Sequence, residues 1–270
     1  TNPKILNGTV TETAESDKGT IEFKNVSFKY PDASDYVLRD ISFKAEKGKT
    51  IAFIGATGSG KSTLINLIPR FYDATDGNVL VDGVNVKEYD IESLNNKLGY
   101  VPQKAVMFSG TVSSNVAYGN NGRDNYSADD IKQAIKIAQG TEFVEKMENQ
   151  YEGAIAQGGS NISGGQKQRL AIARAVCRKP EIYIFDDSFS ALDYKTDRVL
   201  RSELKKETAG TTTLIVAQRI GTIKDADCII VLDKGNMVGK GTHSELMKNC
   251  EVYQQIALSQ LSKEELGNDE

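Results

Sequence analysis

Cysteine, histidine and long apolar runs are all scarce in this chain of 270 residues. The three cysteines, Cys177, Cys228 and Cys250, are scattered and odd in number, and no CxxC occurs. That excludes a disulfide framework and points to a reducing setting. A single histidine, His243, leaves no means to build a histidine-based zinc site or a Ser–His catalytic pair. It lies in the polar stretch Gly241-Thr242-His243-Ser244-Glu245, which reads as the start of a surface helix. No basic surplus exists: 33 basic residues stand against 37 acidic ones, a formal net charge of -4. This argues against an electrostatic nucleic-acid binder, and no basic run is long enough to grip a membrane surface. The longest apolar runs, Leu214 to Ala217 and Cys228 to Leu232, are of strand length, far short of the ~20 residues that span a bilayer. The opening residues do not read as a signal peptide. A membrane role would place the spanning part elsewhere.

What is present suits a soluble α/β fold. Hydrophobic residues make up 39% and charged residues 26%, enough for one large domain with its own core. Residues 1–19 are polar and lack periodicity, and read as a linker. Ile21, Phe23, Val26, Phe28, Ile41 and Phe43 alternate with polar residues, as half-buried antiparallel strands do. Thr50 to Ile54 is almost wholly apolar, the pattern of a strand buried on both faces of a parallel sheet. Asp82-Gly83 signals a hairpin between Val79-Leu80-Val81 and Val84. From about Gln103 to Lys179 the pattern predicts helices, with Ile131, Ala134, Ile135 and Ala138 at helical spacing. Strands return at Ile182 to Phe185, Thr212 to Ala217 and Cys228 to Leu232, with a helix over Lys195 to Lys206. That alternation is a βαβ arrangement with a helical insertion. From about Ser262 the end is charged and predicted to fray.

Gly55-Ala56-Thr57-Gly58-Ser59-Gly60-Lys61-Ser62, followed by Thr63, sits between the buried strand and the apolar-periodic run Leu64, Ile65, Leu67, Ile68. This is GxxxxGKS in the strand–loop–helix context that a phosphate loop requires. Glycines let backbone N–H groups turn toward phosphate, and the following helix start adds its dipole. Lys61 is expected to reach the β- and γ-phosphates and Ser62 to hold Mg²⁺. The strand Ile182-Tyr183-Ile184-Phe185 ends in Asp186, a carboxylate suited to orienting that metal. Ser163-Gly164-Gly165-Gln166 opens a second helix with a capping box, and its two glycines suit an anion at the first turn.

Phosphate loop, Gln103, Ile162-Ser163-Gly164-Gly165-Gln166, the strand ending at Asp186, and Ser190-Ala191-Leu192-Asp193 occur in one order over about 140 residues. The run resembles the nucleotide-binding domain of an ABC transporter, most closely the half-transporter exporters, from Ile21 to about Met247. The resemblance implies a RecA-like parallel-sheet core of the P-loop NTPase type, an N-terminal antiparallel β subdomain and a helical subdomain at about 104–179. It implies a division into a 1–19 linker from a transmembrane domain, an ABC ATPase domain at 20–250, and a C-terminal helix and tail at 251–270. ATP and Mg²⁺ are the implied cofactors. Tyr30 matches the aromatic that stacks on adenine, although packing is the ordinary role of a lone tyrosine. Gln103 matches the glutamine that touches Mg²⁺ and the attacking water, and Asp193 the aspartate that communicates across a dimer. The partners implied are the exporter's transmembrane domains and a second nucleotide-binding domain, whose ATP the Ser163–Gln166 signature completes, at the cytoplasmic face of a membrane.

Three positions depart from the family pattern. Asp187 stands where a glutamate usually polarises the attacking water, Gln218 where a histidine is usual, and Gln157 where a glutamate is usual. An aspartate draws the carboxylate back by more than ~1 Å, a misplacement that can cost about 10²-fold. An amide cannot carry imidazole's charge or move a proton. Both losses fall on one site, which suggests the slow, degenerate half of a heterodimeric multidrug-type exporter. Harmless drift in a fully active homodimeric exporter, a non-transport ABC ATPase and a purely regulatory ATP-binding module remain the alternatives.

Overall fold

The computed structural model describes residues 5–119 and 126–267, with side chains to residue 260. The first four residues of the expected linker, part of the expected helical subdomain and the last three residues of the tail lie outside the described residues. In chain order the strands are β1 Ile21–Phe28, β2 Leu38–Ala45, β3 Thr50–Ile54, β4 Asp76–Val81, β5 Val84–Asn85, β6 Leu98–Val101, β7 Gly110–Thr111, β8 Ala154–Ile155, β9 Ile182–Asp186, β10 Thr212–Val216, β11 Cys228–Asp233 and β12 Asn236–Gly241. The helices are α1 Lys61–Asn66, α2 Ile91–Asn96, α3 Val112–Val116, α4 Ala128–Ile137, α5 Thr141–Glu145, α6 Gly164–Cys177, α7 Tyr194–Glu207, α8 Ile220–Ile223, α9 His243–Asn249 and α10 Glu251–Gly267. The chain divides into two compact units, Thr1–Leu94 with Thr212–Glu270, and Asn95–Thr211.

In the first unit, β2, β1, β4 and β5 form the expected antiparallel sheet. Phe23 and Val26 are three residues apart yet face the same core. The extra residue is absorbed by bulges at Asn25, whose φ is 48°. Asp82 and Gly83 both have positive φ, 52° and 77°, so the hairpin is the tight two-residue kind whose twist matches the strands. β11, β3 and β10 pair in parallel, and β12 closes the edge antiparallel, an element that the pattern of Asn236 to Gly241 did not announce. Phe43 bridges the layers, stacking on Phe23 at 4.7 Å and meeting Phe53 edge-on at 5.3 Å. The segment preceding β1 is laid down on this unit. Gly8 and Val10 bond the backbone at Glu88 and Tyr89, and the buried Asp82 carboxylate accepts from the Gly19 N–H at 2.8 Å.

In the second unit β6 and β9 pair in parallel. The stretch expected to be wholly helical holds α3 to α6, but also the two-stranded antiparallel ribbon β7–β8. Two-residue strands carry too little periodicity to be read from sequence. α6 is buried over its second half, through Leu170, Ile172, Ala173 and Val176 among others. The whole is a mixed α/β fold with a parallel-sheet P-loop core, an antiparallel β subdomain and helices. Among the described residues no helix is long and apolar enough to cross a membrane.

Candidate functional site

β3 delivers the chain, buried on both faces, to the sheet's carboxyl edge, where the glycine loop begins. Gly60 has a φ of 102°, and a Cβ there would lie 2.7 Å from Leu38 Cδ2. At Gly55 a Cβ would strike the Leu232 carbonyl and the Ser59 side chain. Gly58 faces open space and is required by its φ of 80° alone. Ser59 O accepts from the Gly235 N–H in the β11–β12 turn, which fastens the loop to the sheet. Lys61 turns back over the loop: its Nζ donates to the carbonyls of Gly55 at 2.7 Å and Ala56 at 3.0 Å. The buried ammonium therefore lies in the loop's concavity, beneath the exposed Ala56, Thr57 and Gly58.

Two further predicted residues belong to this unit. Tyr30 shares a hydrogen bond with Thr63, oxygen to oxygen at 3.0 Å, so the tyrosine is tied to the first turn of α1. Its ring meets Phe28 and Tyr72 edge-on at 4.9 Å and 5.2 Å. It also lines an open pocket of about 530 Å³ with Phe28, Phe71 and Tyr72. Gln218 is exposed just beyond β10, whose Val216 lies opposite Phe53 of β3. The loops carrying Gln218 and Gly55 thus leave adjacent parallel strands at the same end, which is where ligands gather in such sheets.

The second unit gathers the acidic residues. Asp186 closes β9 and is buried, and the Tyr100 hydroxyl donates to it. Burial, and then the Asp186 charge, push the Tyr100 hydroxyl well above the ordinary tyrosine range, so it stays a donor. Tyr100 was missed from sequence; the available signal was a tyrosine inside an apolar strand, which needs a polar partner. Gln103, two residues beyond β6, donates from Nε2 to Asp187 Oδ2 at 3.2 Å. Asp187 is buried with a left-handed φ of 48°, a conformation that aspartate tolerates better than longer side chains. Gln103, Asp186 and Asp187 therefore stand together at the carboxyl ends of β6 and β9.

The capping box is present as read: Ser163 Oγ accepts from the Gln166 N–H at 3.2 Å, and Gln166 Oε1 accepts from the Ser163 N–H at 3.0 Å. Ser163 and Gly164 are exposed at the start of α6. Arg174, ten residues on, is a second feature that the sequence did not reveal. It donates to the carbonyls of Asn115 and Val106 and covers the rings of Phe108 and Tyr118. Burial lowers its pKa to about 10. Asp193 is exposed and caps α7, accepting from the Thr196 N–H at 2.9 Å and its hydroxyl at 2.8 Å. Those bonds hold its carboxyl below the usual range. Gln157 is exposed at the start of a short 3₁₀ turn, and nothing in the structure explains its departure from glutamate.

Residues 38–190 match the family model described as ABC transporter. The chain is 45% identical over 259 residues to an uncharacterized ABC transporter ATP-binding protein of Mycobacterium tuberculosis, covering 96% of this chain and 43% of that protein. It is 40% identical over 260 residues to the ATP-dependent lipid A-core flippase of Haemophilus influenzae, covering 96% of this chain and 44% of the flippase. A bacterial Atm1-family ABC exporter, solved with ATP bound, matches with a TM-score of 0.89 and 34% identity, covering 96% of this chain and 45% of that one. The chain thus spans less than half the length of these relatives. By the extent of these matches, the chain belongs to the ABC transporter family.

Proposed function

We propose that this chain is the ATP-binding and ATP-hydrolysing motor domain of an ABC exporter, working at the cytoplasmic face of a membrane. The observation that carries this reading is the glycine loop at the end of β3 with the Lys61 ammonium held inside it. Backbone N–H groups and Lys61 bind the phosphates, while Tyr30, tied to α1 through Thr63, stacks on the base. Among the described residues no group of three or more His, Cys, Asp or Glu could hold a metal alone. Mg²⁺ suits such a site, because it is usually bound by one or two carboxylates together with substrate phosphates. In the first unit Ser62 is our candidate donor for it, and in the second unit Asp186 and Gln103 are, with Tyr100 keeping the Asp186 oxygens aimed. When bound, the cation supplies charge neutralisation at the β- and γ-phosphate oxygens. The names of the relatives, a flippase and an exporter with ATP bound, support the exporter assignment.

The finer reading is a slow, degenerate site within a heterodimer. Asp187 is short for orienting water and Gln218 offers the γ-phosphate an uncharged amide. Ser163 to Gln166 would complete a competent site on a different partner subunit, Asp193 would relay between the two, and transmembrane domains would be the other partner. Calorimetry with Mg·ATP tests binding: Lys61→Ala should abolish the heat of binding, and undiminished uptake would refute the loop assignment. Turnover tests the finer reading. Asp187→Asn should barely alter ATPase of the heterodimer, while the partner's equivalent change abolishes it; equal loss from either would defeat it.

A further inference from the structure

α10 presents Tyr253, Ile256 and Gln260 at positions i, i+3 and i+7, a single stripe of the helix. Tyr253 is fully buried with Ile54, Ala217, Ile223 and Ile229, and Ile220 and Ile256 pack on the same cluster. The His243 Nδ1 lies 2.6 Å from the Tyr253 hydroxyl and fixes the start of the stripe. The apolar contact therefore runs along α10 to the loop that follows β10. One turn further the stripe becomes polar. Gln260 Nε2 donates to the Gln218 carbonyl at 2.5 Å, and Gln260 Oε1 accepts from the Ile220 N–H at 2.8 Å.

One amide thus makes two bonds of opposite sense and straddles the backbone from Gln218 to Ile220. The Ile220 N–H opens α8, whose own N-cap, Arg219, supplies no side-chain cap. A donor at a helix start needs a partner, and here it comes from a residue 40 positions away. The carbonyl that Gln260 holds is that of Gln218 itself, so the clasp sets the direction in which the exposed Gln218 side chain leaves the backbone. We infer that Gln260 is a positioning residue for Gln218, and that the C-terminal helix is thereby part of the ATPase machinery rather than only a packing element. This rests on the proposed contact between Gln218 and the γ-phosphate.

The test is steady-state ATPase of the full chain with Mg·ATP, resolved into kcat and KM, for Gln260→Leu, Gln218→Ala and the double variant. Displacing a group that meets the transferred phosphate by a fraction of an ångström should lower kcat about tenfold in Gln260→Leu and leave KM within about twofold. The double variant should be no slower than Gln218→Ala alone, because both changes remove one function. Exchange of the Ile220 amide hydrogen should quicken in step. Gln260→Glu, which keeps the acceptor for Ile220 but not the donor for the Gln218 carbonyl, should fall between, and serves if the leucine variant does not fold. Unchanged kcat in Gln260→Leu beside a slow Gln218→Ala, or losses that simply multiply, would overturn the inference alone. Unchanged kcat in Gln218→Ala would instead remove the γ-phosphate reading beneath it.

Discussion

Replacing Asp187 by glutamate should make this site faster. The carboxylate of Asp187 is buried and its Oδ2 accepts from Gln103 Nε2 at 3.2 Å, so it already faces the residue expected beside the metal and the water. One added methylene advances the oxygens by a little over ~1 Å along the side chain. An error of that size in a reacting group is worth about 10²-fold in rate, or ~2.7 kcal/mol of barrier. Asp187→Glu should therefore raise kcat by up to ~10²-fold, less whatever ceiling Gln218 imposes. Adding Gln218→His should lift that ceiling, since a positioned acid–base group contributes ~10²–10⁴-fold. The left-handed φ of 48° sets a cost that appears in Tm rather than in kcat, because only short polar side chains adopt this region readily. The assay is phosphate release at saturating Mg·ATP, with the partner's site silenced and nucleotide affinity measured in parallel. If Asp187→Glu binds ATP normally and its turnover is unchanged or lower, carboxylate reach does not limit this site, and the degenerate reading loses its physical basis.

Two other perturbations separate the contributions of the fold. Gly58→Ala meets open space and bears only its positive φ, a cost of ~1–2 kcal/mol. Gly60→Ala adds a clash 2.7 Å from the buried Leu38 and should lose at least ~1–3 kcal/mol more. Thermal melts that rank the two equally would refute the packing argument. Burial pushes the Tyr253 hydroxyl up to about 12, from an ordinary value near 10. Its folded pKa is raised, so its contribution is fully present below pH ~10 and is lost as pH rises toward 12. The alkaline fall in Tm should be shallower in Tyr253→Phe; identical profiles would show that Tyr253 does not carry it.

Sequence and structure agree most closely where chemistry and local geometry coincide. The phosphate loop was readable because a buried strand, three glycines and Lys61-Ser62 must occur in that order for the loop to turn, and Gly55 and Gly60 indeed sit where a Cβ has no room. Ser163 and Gln166 were readable because a capping box is a contact between residues three apart. Asp82-Gly83 was readable for the same reason. Tyr100, Arg174 and Gln260 were not, since their partners Asp186, Val106 and Gln218 are distant in sequence. No local period encodes such pairings.

By itself the amino-acid sequence determined the family, the glycine loop that ends in Lys61-Ser62, the capped start of α6 and the identity of the two unusual side chains, Asp187 and Gln218. Each follows from residue type at short range. Only the tertiary structure decided which groups aim those side chains: Gln103 against Asp187 in one unit, and the end of α10 against the Gln218 backbone in the other. Hydrogen bonds select partners by distance in space, and that distance exists only once the strands have paired and the helices have packed.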